Sequence, residues 1–301
     1  MRVVVALGGN ALLRRGEPMT EEVQRRNVQA AAAAIAEIAR EHETVVTHGN
    51  GPQVGLLALE SEAYKEVPPY GLDVLGAESQ GMIGFMLEQA LRNQLSQTAV
   101  ATLLTSVLVD LDDPAFAHPS KPIGPVYTSE VAHEIAQARG WSMAPDGAGF
   151  RRIVPSPRPR RVIELEAVQV MVAAGILVIC AGGGGVPVAR MADGSLDGVE
   201  GVIDKDMTSA LLAEELGADA LLLLTDVAAV QVGWGTADAR PLHETTPAEL
   251  ARYQFAAGSM GPKVEAACRF VERARRVAAI GALSDAKAML CGRAGTIVRP
   301  E

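Results

Sequence analysis

Three lysines stand where a lysine could act on an anion. Lys205 lies between two aspartates in Val202-Ile203-Asp204-Lys205-Asp206, where an apolar stretch ends and a helix is expected to begin. Lys263 closes the segment Gly258-Ser259-Met260-Gly261-Pro262-Lys263. Its proline suits a first helical turn. A cation so near a helix N-terminus opposes the dipole, and a bound anion would remove the conflict. Lys121 stands in His118-Pro119-Ser120-Lys121-Pro122-Ile123-Gly124-Pro125, which reads as a proline-stiffened turn. Upstream, two apolar runs end in similar turns, Gly8-Gly9-Asn10 and His48-Gly49-Asn50-Gly51-Pro52. Glycine lets backbone N–H groups approach a bulky oxyanion, and a helix opening at the same point adds free donors. Two such cradles predict a site for a small phosphorylated ligand, and the lysines predict phosphoryl transfer. That chemistry requires positioned reactants and neutralised charge rather than covalent work by the protein. One lysine 4 Å from a unit negative charge interacts with it by roughly 4 kcal/mol at an effective dielectric near 20.

Each segment also has a plainer reading. Asp206 also reads as a helix cap with Lys205 solvated beside it, and Lys263 and Lys121 as surface side chains. The run Gly182-Gly183-Gly184-Gly185-Val186-Pro187 follows a strand, but it lacks the third glycine and the acidic residue of a dinucleotide fingerprint. It remains a candidate phosphate or nucleotide contact. Thr225-Asp226, at the end of the next strand, is a candidate for ribose or base. His48 could touch a ligand or be structural. No histidine, cysteine and carboxylate set has metal-ligand spacing, so a divalent ion is expected only with nucleotide phosphates.

The elements that must position these groups alternate. Strands are expected at 3–7, 45–47, 99–109, 176–180, 220–224, 277–280 and 296–298. Helices are expected from Thr20 to about residue 40, from about 53, around 80–94, and over 164–174, 205–216, 247–253 and 262–275. Apolar strands alternating with amphipathic helices imply an α/β fold with a mostly parallel sheet covered on both faces. Residues 110–161 break the rhythm with eight of the seventeen prolines of the chain. The stretch is too long for an ordinary loop and predicts a small inserted subdomain or lid.

The 301 residues suffice for one large domain or two lobes. A formal charge of −9 argues against sequence-independent nucleic-acid binding. The longest apolar stretch, 170–181, is too short to span a bilayer, and the chain opens directly on a strand without a signal peptide. Cys180, Cys268 and Cys291 form no disulfide framework, and Cys180 reads as a buried thiol. Together these features predict a cytoplasmic protein.

In this order, the stretches 6–11, 47–55, 121–125, 154–157, 182–187, 202–206 and 258–263 resemble those of the carbamate kinases within the amino-acid-kinase superfamily. His48-Gly49-Asn50-Gly51-Pro52-Gln53-Val54-Gly55 and Lys121-Pro122-Ile123-Gly124-Pro125 are the most specific of them. The resemblance implies a three-layer α/β/α sandwich with an open, mostly parallel sheet and a small protruding subdomain. It implies an N-terminal small-substrate lobe, 1–204, carrying the insert, and a C-terminal nucleotide-binding lobe, 205–301. The implied reaction is reversible phosphoryl transfer between ATP and carbamate, with Mg²⁺ carried by the nucleotide, in a homodimer serving arginine metabolism. In those terms Lys205, Lys263, Asp206 and Lys121 are catalytic; Gly8, Gly9, Asn10, Gly49, Asn50 and Gly51 bind the small substrate; and Gly183, Gly184, Thr225, Asp226, Ser259 and Met260 bind nucleotide. A related kinase for another small acid and a catalytically silent nucleotide sensor are the alternatives.

Overall fold

The structure, a computed structural model, describes residues 1–14, 16–236, 238–256 and 258–301; of Asn10 only the backbone is described. Eight strands form the main sheet, in the order Glu244–Thr245, Thr296–Val298, Val277–Ala282, Ala220–Thr225, Arg2–Leu7, Glu43–His48, Leu177–Ile179, Val100–Thr102. Every pairing in it is parallel except that between Val277–Ala282 and Thr296–Val298. The strands are rich in valine, leucine and isoleucine because both faces are covered. Along the first strand, Val4 and Ala6 join one core with residues of the helices Lys205–Glu215 and Met260–Ala274. Val3, Val5 and Leu7 join another with residues of Glu21–Ala39 and Leu72–Gln94. The period of two along the strand thus separates the two helical layers. The expected sandwich is the observed fold.

Most elements fall near their expected positions. Thr20 caps Glu21–Ala39, its Oγ1 accepting from the N–H of Val23 at 3.3 Å. Gly175 and Gly217 follow their helices with φ of +76° and +60°, as left-handed terminators do. The expected strand 99–109 is instead two strands in different sheets. Val100–Thr102 lies in the main sheet, and Ser106–Leu108 pairs with Val186–Arg190 and Arg161–Val162 in a smaller one. Buried Thr105 is the pivot. Its backbone N–H and C=O both bond to the Gln80 side chain at 3.0 Å, and its Oγ1 accepts from the N–H of Ala181 at 3.1 Å. These bonds satisfy the backbone where it leaves one ladder for the next.

The insert is folded. Strands Lys121–Tyr127, Gly149–Val154 and Met143–Asp146 make an antiparallel sheet, with the helix Ser129–Arg139 between the first two in sequence. Lys121 therefore begins a strand rather than standing on a turn. Its prolines are tolerated because the strand is at an edge, and Gly124, at φ +71°, lies where the register shifts. That glycine meets Gly55 on the helix Gly51–Ala63, where a Cβ on Gly55 would fall 2.3 Å from the Gly124 Cα. Arg139 paired with Glu62, and Arg152 with Glu200 at 3.0 Å, also tie the insert to the rest of the chain.

Candidate active site

Four parallel strands deliver their following turns to one edge of the sheet: Leu7 to Gly8, His48 to Gly49, Ile179 to the 182–184 turn, and Thr225 to Asp226. The carboxyl ends of parallel strands are where open α/β sheets bind ligands. Here they border a cavity of about 590 Å³. Gly8, Gly9, Gly49, Asn50 and Gly51 line one part of it, and Thr225, Asp226, Ser259 and Met260 another. Lys121, Gly183, Lys205, Asp206 and Lys263 also line it. Of the residues singled out from the sequence, Gly184 does not reach the cavity; its carbonyl accepts from Thr208 Oγ1 at 2.9 Å behind the wall. The Asn10 side chain lies outside the described residues, although its backbone sits in the short helix Gly9–Leu12.

The glycine turns are packed against each other. A Cβ on Gly49 would stand 3.0 Å from the Gly9 nitrogen, so the two backbones approach closely only with hydrogen in that place. A Cβ on Gly183, which has φ +66°, would stand 2.1 Å from Asn50 Nδ2. Asn50 is itself fixed, donating to Ser79 Oγ at 2.7 Å, while Ser79 Oγ donates to the carbonyl of Gly76 at 2.7 Å.

Asp206 joins the two lysines of the C-terminal half. One carboxylate oxygen accepts from Lys205 Nζ, the other from Lys263 Nζ at 3.0 Å. Lys205 and Asp206 are buried, and the Lys263 side chain is 13% exposed. This corrects the plainer reading of the segment, since Lys205 is not solvated and Asp206 is not the cap. Asp204 caps the Lys205–Glu215 helix, its Oδ1 accepting from the N–H groups of Asp206 at 2.9 Å and Met207 at 3.3 Å. The cation near the start of Met260–Ala274 has its negative partner in Asp206, from another helix.

Burial alone pushes the Asp206 carboxyl up, but Lys205 and Lys263 together hold it well below the usual carboxylate range. Burial holds the Lys205 ammonium below its ordinary value, Asp206 opposes this, and Lys263 adds to it. Both shifts run downward because the carboxylate faces two cations, whereas Lys205 shares its one close anion with another lysine. The cluster carries positive charge that a phosphoryl group can take up.

His48, fully buried, packs beneath these turns. Its Nδ1 donates to the Gly49 carbonyl at 3.2 Å, and a Cβ on Gly182 would fall 2.5 Å from its Nε2. Burial brings the imidazole down to about 4, the hydrogen bond to Gly49 opposes, and Lys205 contributes to the lowering. His48 is thus neutral at pH 7 and structural. Because its folded value lies below the unfolded value near 6.5, the unfolded chain binds the proton first. Stability falls as pH drops from about 6.5 towards 4, by about 3 kcal/mol at the low end. Urea melts between pH 7.5 and 4.5 should show this loss in the wild type and a smaller one in His48→Gln. Parallel losses in the two proteins would refute it.

Burial likewise pushes the Cys180 thiol up to about 12, as expected of a buried inert cysteine. Sequence reasoning missed the two contacts of Asp204, and it missed Trp234, an exposed aromatic on the cavity wall. An aspartate directly before a helix was the available signal for the first. A lone tryptophan among glycines carried none for the second.

A model of the amino acid kinase family matches residues 1–281. The carbamate kinase of Rhizobium meliloti (strain 1021) is 57% identical over 301 residues, covering 99% of this chain and 93% of its own length. That of Pyrococcus furiosus is 47% identical, covering 99% of each. Among solved structures, carbamate kinase from Giardia lamblia bound to AMP-PNP superposes with a TM-score of 0.92 at 39% identity, over 100% of this chain and 98% of that one.

Proposed function

The chain belongs to the amino acid kinase family, and from that footing we propose that it transfers a phosphoryl group reversibly between ATP and carbamate, giving ADP and carbamoyl phosphate. The observation that carries this is the convergence of Lys121, Lys205 and Lys263 on one cavity walled by the Gly8–Gly9 and Gly49–Gly51 turns. A carbamate oxygen attacks the γ-phosphorus, the bond from phosphorus to the β,γ-bridging oxygen breaks, and ADP leaves with that electron pair. The attacking oxygen is already anionic, so no side chain need remove a proton. The protein's task is to hold reactants in line and offset the charge spread over the transferred group.

In this assignment the segment 1–204 holds the small substrate through the N–H groups of Gly9 and Gly51, while Gly8 and Gly49, whose own N–H groups donate to the carbonyls of Leu224 and Leu7, let the turns come close to it, with Asn10 and Asn50 beside them. The segment 205–301 holds nucleotide at Thr225, Asp226, Ser259 and Met260, with Gly183 at the phosphates and Gly184 behind it shaping the turn. Lys205 and Lys263 flank the transferred group, Asp206 sets their spacing, and Lys121 arrives from the insert. Both Asp206 oxygens are engaged by lysines, and no cluster of three metal-binding side chains is found among the described residues. Mg²⁺ is therefore assigned to the nucleotide, held by phosphate oxygens, where it would neutralise phosphate charge.

The test is direct. Purified protein given carbamoyl phosphate and Mg·ADP should form ATP. No ATP above a Lys205→Ala control would overturn the assignment, and phosphorylation of another small acid with carbamate inert would redirect it.

A homodimer belongs to the same proposal. Val74, Glu78, Gly81 and Phe85 make an exposed stripe on Leu72–Gln94, where Phe85 is 58% exposed. Phe85→Asp should shift the sedimentation coefficient from dimer to monomer at micromolar concentration; an unchanged coefficient would remove this face from the interface. A cytoplasmic setting and a role in arginine metabolism follow from the family resemblance. No helix among the described residues is long and apolar enough to cross a membrane.

A further inference from the structure

One carboxylate serves two elements far apart in sequence. Asp204 Oδ1 caps the helix that begins with Lys205, and Asp204 Oδ2 pairs with Lys121 Nζ at 2.6 Å. Both side chains line the cavity, and both keep some exposure, 17% for Asp204 and 32% for Lys121. The cation that the insert brings to the cavity thus has an anionic partner within the protein itself. Asp206 cannot serve Lys121 in this way, because Lys205 and Lys263 occupy both its oxygens deeper in the wall.

We propose that Asp204 is a latch for the insert and a positioning residue for Lys121. In the empty protein it holds the Lys121 end of the insert strand against the cavity. When a phosphoryl anion enters, Lys121 passes to it, and Asp204 competes for the same ammonium. A lysine suits such an exchange, since its point charge sits on a flexible stem with three rotatable donors. The cap bonds use the other oxygen, so Asp204 stays anchored to the helix after Lys121 leaves. Other ties of the insert include Arg139 to Glu62, Arg152 to Glu200, the Gly55–Gly124 contact, and the burial of Ile123 and Val154 against Val54 and Val202. They let its base stay docked while the lysine moves. The identity of the anion rests on the proposed phosphoryl transfer; the latch in the empty protein does not.

Asp204→Asn removes the charge but leaves an oxygen for the cap, which asparagine fills as well as aspartate. By calorimetry at low ionic strength, the Kd for carbamoyl phosphate should fall by about threefold to fivefold, the scale of a partly exposed ion pair. The gain should vanish when Lys121→Met is the background. In ligand-free protein, amide exchange at Lys121, Ile123 and Gly124 should be faster in Asp204→Asn and in Lys121→Met alike, and no faster in the double variant. Asp204→Ser retains a capping oxygen and serves as the second variant if asparagine compromises folding. Unchanged or weaker anion binding in a folded Asp204 variant overturns the proposal, as does a gain that survives Lys121→Met. If the wild type neither binds carbamoyl phosphate nor forms ATP, the assignment of the reaction falls. The exchange measurement then decides the latch alone, and wild-type exchange in the Asp204 variants rejects it.

Discussion

Lys205→Ala and Lys263→Ala should each lower kcat by roughly 10²–10³, with much smaller changes in KM for nucleotide. That is the scale for removing one preorganised stabiliser of developing transition-state charge. Both ammonium groups border the cavity and share Asp206 as their fixed partner, so neither is a spare for the other. Because the two act as a unit, the double variant should lose far less than the product of the single losses. Initial rates of ATP formation from carbamoyl phosphate and Mg·ADP test this. A fall below about tenfold at both positions would contradict the roles assigned to them.

Asp206→Asn should be the most damaging change to the folded state among the site residues. It leaves two buried ammonium groups without their shared anion, and breaking a buried ion pair in this way costs about 3–5 kcal/mol. Lys205→Ala should cost less, because burial already disfavours that ammonium and Lys263 still partners the carboxylate. Thermal melting should therefore rank the wild type first, Lys205→Ala next and Asp206→Asn last. The reverse order for the two variants would mean that Asp206 is not the organising charge. Activity should vanish with Asp206→Asn even below its melting temperature, since the lysines then repel each other out of position.

The lysines, the glycine turns and the alternation of strand and helix were legible because each is a local pattern. Val3-Val4-Val5-Ala6-Leu7, short and rich in β-branched residues, reads as a buried strand, and its two faces sort into two cores as a period of two demands. What stayed hidden was pairing across distance. Nothing near Lys121 points to Asp204, and nothing near Lys263 points to Asp206. The 99–109 run carries no glycine or proline to mark the change of sheet at Thr105, because the break is made by Gln80 from another element. Lys121-Pro122-Ile123-Gly124-Pro125 misled for the opposite reason. Its proline and glycine are depleted in strands generally, yet an edge with a register shift admits them.

The register of the central ladder has a mechanical meaning. Val3 to Leu7 pair residue for residue with Ala220 to Leu224, and the N–H of Gly8 continues the row to the carbonyl of Leu224 at 3.0 Å. The turn assigned to the acceptor and the strand end assigned to the donor are therefore separated by one interstrand step, about 4.8 Å. The spacing of these two walls of the cavity is gauged by peptide geometry, which no side-chain replacement can rescale. In the proposed assignment, mutation can weaken the grip on either reactant, but the distance between the two backbones that face them is built into the pleat.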